Sequence, residues 1–308
     1  MTMHRLVTRS DFDGLVCAIL LKELKMIDDV VFVHPKDMQD GKIPITSRDI
    51  TTNLPYVASA AMVFDHHSSE VLRNPGEHPN LIIDAHAPSA ARVVYNHFGG
   101  ALTFPEDFHS MMDAVDRADS AKFSREEILH PTRWVLLNYL MDSRTGLGRF
   151  QNFRISNYDL MMQLIEYCRY HSIDQILFLP DVKERVAMYF EHAEKAKKQI
   201  LSCATVHNNL AVLDLRNELT IWACNRFMIY ALFPKVNISI HVMWGLKNQN
   251  TVFAVGKSIL DRSSKTDVGA LMLKYGGGGH EAAGTCQVKN TDADATLIKL
   301  IEAINRDG

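Results

Sequence analysis

The segment Ala60-Ala61-Met62-Val63-Phe64-Asp65-His66-His67 is an apolar run that ends in one carboxylate and two imidazoles. Its first five residues have the length and composition of a buried strand. Carboxylate and imidazole groups are strong metal ligands, and here they follow one another at the end of that strand. The segment therefore predicts a metal-binding strand end, with a capped loop as the alternative.

The first half of the chain alternates short apolar runs with helical patterns. The runs are Leu6–Thr8, Val30–His34, Ala60–Phe64 and Leu81–Ile83, and the helical patterns include Leu15–Lys25 and Ser89–Asn96. This alternation predicts a parallel α/β sheet, in which ligands bind beyond the carboxyl ends of the strands. One site could collect several of the acidic residues that follow apolar or strand-like segments, namely Asp11, Asp13, Asp49, Asp65 and Asp84.

The second half begins with a helical pattern from Tyr158 to Cys203. It continues with strand patterns at 210–215, 236–243, 251–256 and 284–288, and with helical patterns at 268–274 and 295–305. We therefore predict a catalytic domain at 1–180, a connecting helix at 181–204, and a smaller α/β domain with a glycine-rich loop at 205–308.

Composition narrows the functional class. The 308 residues are 47% hydrophobic, which allows a large core, and the formal net charge of −3 provides no field for holding a long nucleic acid. The five cysteines form no CxxC pair and predict reduced thiols. Neither a signal-peptide pattern nor a long apolar run is evident, so we expect a cytoplasmic protein with no membrane association.

Two further motifs carry chemistry. Asp11-Phe12-Asp13-Gly14 places two carboxylates where a strand gives way to a helix, although such residues are also common helix caps. Gly276, Gly277, Gly278 and Gly279 are followed by His280. Each glycine costs ~0.5–1 kcal/mol inside a helix or strand, so the run predicts a loop. Its amide groups could cradle a phosphate, with a flexible hinge as the alternative.

Together these three motifs resemble the DHH phosphoesterase superfamily with its DHH-associated C-terminal domain, in the oligoribonuclease and exopolyphosphatase-like branch. The motifs come in the family's order and span nearly the whole chain. The family includes single-strand exonucleases, oligoribonucleases, cyclic-dinucleotide phosphodiesterases, pyrophosphatases and exopolyphosphatases. The resemblance implies a pair of divalent ions, commonly manganese, in the first domain, with the second domain closing over the substrate.

The resemblance also implies roles for individual residues. By motif, the implied metal ligands are Asp11, Asp13, Asp49, His66 and a fourth-motif aspartate, for which Asp119 is favoured over Asp116. His67 would face the reacting phosphate as a catalytic residue, and Asp65 would bind metal or orient the histidines. In the second domain, the substrate-binding candidates are Lys257, Ser258, Arg262, the four glycines and His280, although a lysine or arginine there is also explained as a solvated charge.

One departure from the family concerns Arg9 and Val7, which stand where many members carry a histidine. A guanidinium cannot ligate a metal, so one ion would be bound weakly, or Arg9 would contact the phosphate itself. We therefore expect one or two manganese ions, with magnesium as the alternative.

The leading hypothesis is a metal-dependent phosphodiesterase that hydrolyses linear dinucleotides such as pGpG, or nanoRNA, to mononucleotides. The absence of a basic field favours such short substrates. An exopolyphosphatase or pyrophosphatase is the first alternative, and a nucleotide-binding sensor without turnover is the second. Base identity, substrate length and oligomeric state, with a homodimer as one option, are left open by the sequence.

Overall fold

The computed structural model describes residues 3–150 and 152–308, which fall into two compact units. The first unit contains the described residues up to 122 together with 132–143 and 147–187. The second contains residues 123–131, 144–146 and 188–308. Each unit has its own β-sheet. The domain limits at residues 180 and 204 stay a prediction.

The sheet of the first unit has five parallel strands in the order β2-β1-β3-β4-β5. The strands are β1 (His4–Arg9), β2 (Ile27–Val33), β3 (Asp49–Thr52), β4 (Met62–Asp65) and β5 (Leu81–Ile83). The accompanying helices are α1 (Phe12–Glu23), α2 (Pro35–Gln39), α3 (Ser68–Arg73), α4 (Ala90–His97), α5 (His109–Asp119), α7 (Arg133–Met141), α8 (Asn157–Tyr170) and α9 (Ile173–Leu177). The predicted parallel α/β fold is confirmed, with β3 as an additional strand.

The turn from β1 into α1 fixes the first acidic motif. Strand β1 carries consecutive buried residues, as expected for a parallel strand covered on both faces. Asp11 caps α1 by accepting a hydrogen bond from the N–H group of Gly14 at 3.0 Å. A Cβ atom on Gly14 would lie 2.0 Å from the carbonyl oxygen of Arg9, so this tight turn requires glycine. Asp11 and Asp13 are thereby held at the carboxyl end of the sheet.

The sheet of the second unit is mixed, with six strands in the order β10-β11-β9-β8-β7-β6. They are β6 (Ala204–His207), β7 (Leu210–Asp214), β8 (Ile238–Trp244), β9 (Thr251–Lys257), β10 (Gly278–His280) and β11 (Ala283–Val288). The helices are α6 (Arg125–Leu129), α11 (Met228–Leu232), α12 (Val268–Leu273) and α13 (Ala293–Asp307), and α10 (Pro180–Cys203) has residues in both units. The core of this unit includes Ile240, Phe253 and Met272.

The glycine run differs from the predicted loop. Gly278 to His280 form β10, a short edge strand paired antiparallel with β11. Close approach explains two of the four glycines, Gly277 and Gly279. A Cβ on Gly277 would lie 2.1 Å from the carbonyl oxygen of Thr285. A Cβ on Gly279 would lie 2.3 Å from the carbonyl oxygen of Ala283, and the φ angle of Gly279 is +157°. The run is therefore one side of a tight glycine hairpin.

Two expectations from composition can be compared with the structure. All five cysteines are free thiols, and Cys17, Cys168 and Cys286 are buried. Among residues 3–150 and 152–308, no helix combines the length and the apolar composition that a bilayer span requires.

Candidate functional site

The first unit contains a cluster of one histidine and two aspartates that can hold a cation. It consists of Asp13 in the first turn of α1, His66 directly after β4, and Asp119 at the end of α5. One ligand atom from each residue lies within 4.8 Å of the other two. Nε2 of His66 lies 3.0 Å from Oδ2 of Asp119.

His66 is oriented like a metal ligand. Its Nδ1 lies 3.2 Å from the carbonyl oxygen of Ala87, so the Nδ1–H group donates there and Nε2 faces Asp119. In the neutral ring this Nε2 is an acceptor, and two acceptors 3.0 Å apart require a proton or a cation between them. Without a cation, the hydrogen bond and charge of Asp119 outweigh burial and raise the pKa of His66 to about 9. A backbone partner at the second nitrogen is typical of metal-bound histidines.

Asp13 supplies buried negative charge to the same cluster. Its two carboxylate oxygens accept hydrogen bonds from the N–H groups of Ala90 and Ala91, at 3.0 and 2.8 Å, at the start of α4. Burial raises the pKa of Asp13 well above its usual range, and the charges of Asp119 and Asp11 raise it further. A bound cation would relieve this repulsion. The oxygen-rich set, with a single imidazole, fits manganese or magnesium better than zinc.

Asp65 and His67 form a second arrangement beside the cluster. Oδ1 of Asp65 accepts from the backbone N–H of His66 at 2.8 Å and lies 2.7 Å from Nδ1 of His67. Asp65 is buried, whereas His67 is partly exposed. The Nδ1–H group of His67 therefore donates to Asp65, and its Nε2 is the nitrogen available to a substrate. One ligand atom each from Asp65, His66 and His67 also lies within 4.8 Å of the others.

The structure distinguishes the two candidates for the fourth motif. Asp116 accepts hydrogen bonds from Nε of Arg92 at 2.8 Å and from the hydroxyl of Ser89 at 2.8 Å. Its carboxylate thus supports the start of α4, which in turn holds Asp13. Asp119, three residues later on α5, is the one that lies in the cluster with His66.

Asp49 lies at the opposite end of the sheet, which corrects its predicted place among the metal ligands. It is the first residue of β3 and pairs with Arg5 near the start of β1. Its Oδ1 lies 2.7 Å from Nε of Arg5, and its Oδ2 accepts from the N–H of Thr46 at 2.7 Å. The parallel strands place the cluster at their other ends, so Asp49 has a structural role as a buried ion pair.

At the cluster end, β3 presents Asn53, which the sequence analysis did not single out. Asn53 is buried, and its Nδ2 lies 3.5 Å from Oδ1 of Asp11. Asp11 also pairs with Arg9, whose Nε lies 2.9 Å from Oδ2 of Asp11. Val7, two residues before Arg9, is fully buried in the core. The signal for Asn53 in the sequence is its place as a polar residue directly after Ile50-Thr51-Thr52.

In the second unit, several predicted substrate-binding residues lie on or beside the glycine hairpin. The N–H of Lys257 donates to the carbonyl oxygen of Ala282 at 2.8 Å, and its Nζ lies 3.2 Å from Oε1 of Glu281. Nδ1 of His280 accepts from the N–H of Ala282 at 3.2 Å, which leaves an Nε2–H group to donate.

The two other predicted substrate-binding residues in this unit follow β9. Arg262 is exposed. Ser258 is buried, and its hydroxyl oxygen accepts from the N–H groups of Leu260 and Asp261, both at 3.1 Å. The hydroxyl of Ser258 therefore holds a turn in this structure.

Comparison with known proteins identifies relatives among solved structures. The pGpG-specific phosphodiesterase PggH from Vibrio cholerae is 63% identical, covers 99% of this chain and 100% of its own, and superposes with a TM-score of 0.90. An exopolyphosphatase-related protein from Bacteroides fragilis is 14% identical, with coverages of 98% and 92% and a TM-score of 0.54. An exonuclease RecJ bound to manganese is also 14% identical, with coverages of 98% and 90% and a TM-score of 0.53.

The two distant structures show a shared fold, whereas the similarity to PggH extends through the whole sequence. No protein-family model matches the chain, and no curated protein sequence matches it. PggH, the exopolyphosphatase-related protein and RecJ are all members of one superfamily. The resemblance drawn from the three sequence motifs is confirmed: this chain belongs to the DHH phosphoesterase superfamily.

Proposed function

We propose that the protein is a divalent-metal-dependent phosphodiesterase that hydrolyses linear dinucleotides of the pGpG type to mononucleotides. The observation that carries this proposal is the 63% identity, over 99% of the chain, to a pGpG-specific phosphodiesterase. Substrate preference depends on many side chains around a site, so identity at this level and over the full length supports the same substrate class far better than fold similarity does.

In this proposal, Asp13, His66 and Asp119 hold the ion, which is manganese or magnesium. When bound, the ion supplies a Lewis acid for the phosphoryl oxygens and lowers the pKa of a bound water. To act as a general acid, His67 must carry protons on both ring nitrogens. Asp65 then accepts from Nδ1–H of this imidazolium and orients it, and Nε2–H gives its proton to the departing ribose oxygen. The 2.7 Å contact between Asp65 and His67 supports this division of roles.

The second unit would recognise a phosphate group of the substrate. The Nε2–H of His280, the ammonium of Lys257 and the guanidinium of Arg262 are donors suited to phosphate oxygens. Gly276 and Gly277 already donate their N–H groups to the carbonyl oxygens of Leu273 and Met272, so a further backbone donor would come from the outer edge of β10. Recognition by a few phosphate contacts fits a short substrate and requires no long nucleic acid. A cytoplasmic location and a homodimer stay predictions.

A matched hydrolysis panel tests the proposal. The purified protein is incubated with manganese and 5'-phosphorylated pGpG, a 5'-phosphorylated pentanucleotide, cyclic di-GMP or short-chain polyphosphate, and products are separated by ion-exchange chromatography. We expect preferential cleavage of pGpG to GMP, with loss of activity in EDTA and recovery on adding manganese. Cleavage of polyphosphate alone would refute the proposal in favour of an exopolyphosphatase. Tight nucleotide binding without any hydrolysis would refute it in favour of a sensor.

A further inference from the structure

The candidate site has two halves with different charge. One half contains Asp13 and Asp119, which carry two formal negative charges, together with His66. The other half contains Asp11, whose charge is balanced by the guanidinium of Arg9 at 2.9 Å. A hard divalent cation needs anionic oxygen ligands, and of these two halves the first offers a net negative charge when His66 is a neutral ligand. The nearby carboxylate of Asp65 is engaged through Oδ1 by the N–H of His66 and by Nδ1 of His67.

The backbone at the end of β1 fixes the position of Arg9 in this second half. It is the last residue of β1, and its carbonyl oxygen accepts a hydrogen bond from the N–H of Asp11 at 3.0 Å. The side chain of Arg9 then returns to the carboxylate of Asp11 through Nε. A guanidinium has five N–H donors and no lone pair for a metal, so contact with Asp11 through Nε leaves the group with further donor capacity toward an anion.

Asn53 completes this half with a neutral group. Asn53 directly follows β3, which lies between β1 and β4 in the sheet. Asp11 and His66 follow those two neighbouring parallel strands, so Asn53 lies at the same end of the sheet as they do. Its backbone is left-handed, with φ of +55°, a conformation that asparagine tolerates. Its buried Oδ1 has no hydrogen-bond partner within the described residues. An amide at this place adds an acceptor but no negative charge.

We infer that this protein binds a single divalent ion, at Asp13, His66 and Asp119, and that Arg9 supplies the second positive charge of the site. The inference rests on the metal requirement in the proposed function. The guanidinium, held by Asp11, would donate to a nonbridging oxygen of the scissile phosphate. Arg9 is then a substrate-binding residue, and the arginine and asparagine together replace a second metal position.

The decisive measurement is the number of manganese ions bound per chain, with no substrate present. Calorimetric titration gives the stoichiometry, and electron paramagnetic resonance separates an isolated ion from a coupled pair. We expect one ion per chain and the spectrum of an isolated ion in the wild type. The double substitution R9H and N53D should create a second position and raise the count to two. The control R48H changes an exposed arginine that is paired with Asp28 at 3.2 Å, and should keep the count at one.

Two ions in the wild type would overturn the inference. A folded double variant that still binds one ion, as judged by its circular dichroism, would overturn the assignment of the second position to Arg9 and Asn53. A protein that binds one manganese ion but does not cleave pGpG would contradict the proposed function and leave the metal count standing. Binding of no manganese would overturn both.

A second variant tests the phosphate contact even if the double variant does not fold. R9Q removes the charge of Arg9 and leaves at position 9 only a neutral amide oxygen, which is a weak ligand. We expect it to bind one manganese ion, as the wild type does, and to bind GMP about 10- to 100-fold more weakly, as the loss of a charge-assisted hydrogen bond predicts. Unchanged GMP affinity in R9Q would overturn the role of Arg9 as the second positive charge.

Discussion

Asp116 and Asp119 of α5 give the sharpest test of the candidate metal site. Asp119→Asn removes one negative charge from the cluster with His66, whereas Asp116→Asn alters a residue bound to Arg92 and Ser89. A carboxylate ~4 Å from a divalent cation contributes ~8 kcal/mol at an effective dielectric constant of ~20. Part of this is offset because the amide oxygen of asparagine still ligates weakly. At ~1.4 kcal/mol per tenfold change, Asp119→Asn should weaken manganese binding by ~10²- to 10³-fold.

Asp116→Asn should have a smaller effect, because it acts on the metal only through the position of α4 and Asp13. Loss of such a supporting contact typically weakens metal binding by ~10- to 100-fold, and we expect the lower end of that range. The assay is calorimetric titration of manganese into each variant, with circular dichroism as the check on folding. If Asp116→Asn weakens binding as much as Asp119→Asn or more, the reasoning that places Asp119 in the cluster is refuted.

Three further perturbations address other parts of the chain. Asp49→Asn should lower the free energy of unfolding by ~1.5–3 kcal/mol at neutral pH, because a charged hydrogen bond is lost. Burial alone would raise the pKa of Asp49, but its hydrogen bonds from Arg5 and Thr46 hold that pKa below its usual value. Protonation therefore removes the contribution, and the difference between wild type and variant in urea melts should shrink as the pH falls below ~4; a difference that grows would contradict this sign. Gly277→Ala should raise the KM for pGpG and lower the melting temperature, because the new Cβ would lie 2.1 Å from a backbone oxygen. At Gly278 the same substitution has open space, so Gly278→Ala should melt like the wild type. Equal melting temperatures of the two variants would contradict the tight hairpin. His67→Gln should lower kcat by ~10²- to 10⁴-fold with manganese affinity nearly unchanged, as loss of a general acid predicts, and a kcat close to that of the wild type would remove His67 from catalysis.

Much of the first unit could be predicted from the sequence because parallel strands are buried on both faces and appear as continuous apolar runs. Strand β3 escaped this pattern, since Ile50-Thr51-Thr52 contains only one aliphatic residue and its two buried threonines look polar. The error at Asp49 follows from the same gap. A carboxylate beside an unrecognised strand can lie at either end of it, and only the register with β1 shows which end carries Asp49.

The sequence could not decide between Asp116 and Asp119 for a different reason. The two residues are three apart on one helix and face nearly the same direction, so helical periodicity cannot separate them. The group that separates them is Arg92, which belongs to another helix and pairs with Asp116. Likewise, Nδ1 of His66 contacts the backbone carbonyl of Ala87. Every residue has such a carbonyl, so the amino-acid sequence does not predict this contact. Contacts of this kind depend on the folded chain.

The carboxylate of Asp13 has two functions, and a substitution that removes one of them also removes the other. It lies in the cation cluster, and it also accepts the first backbone hydrogen bonds of α4 from Ala90 and Ala91. A descendant that lost Asp13 would lose a buried helix cap along with the metal. His67, by contrast, is partly exposed and caps nothing through its side chain. A lineage drifting from hydrolysis towards mere nucleotide binding should therefore discard His67 first and retain Asp13 long after turnover has ceased.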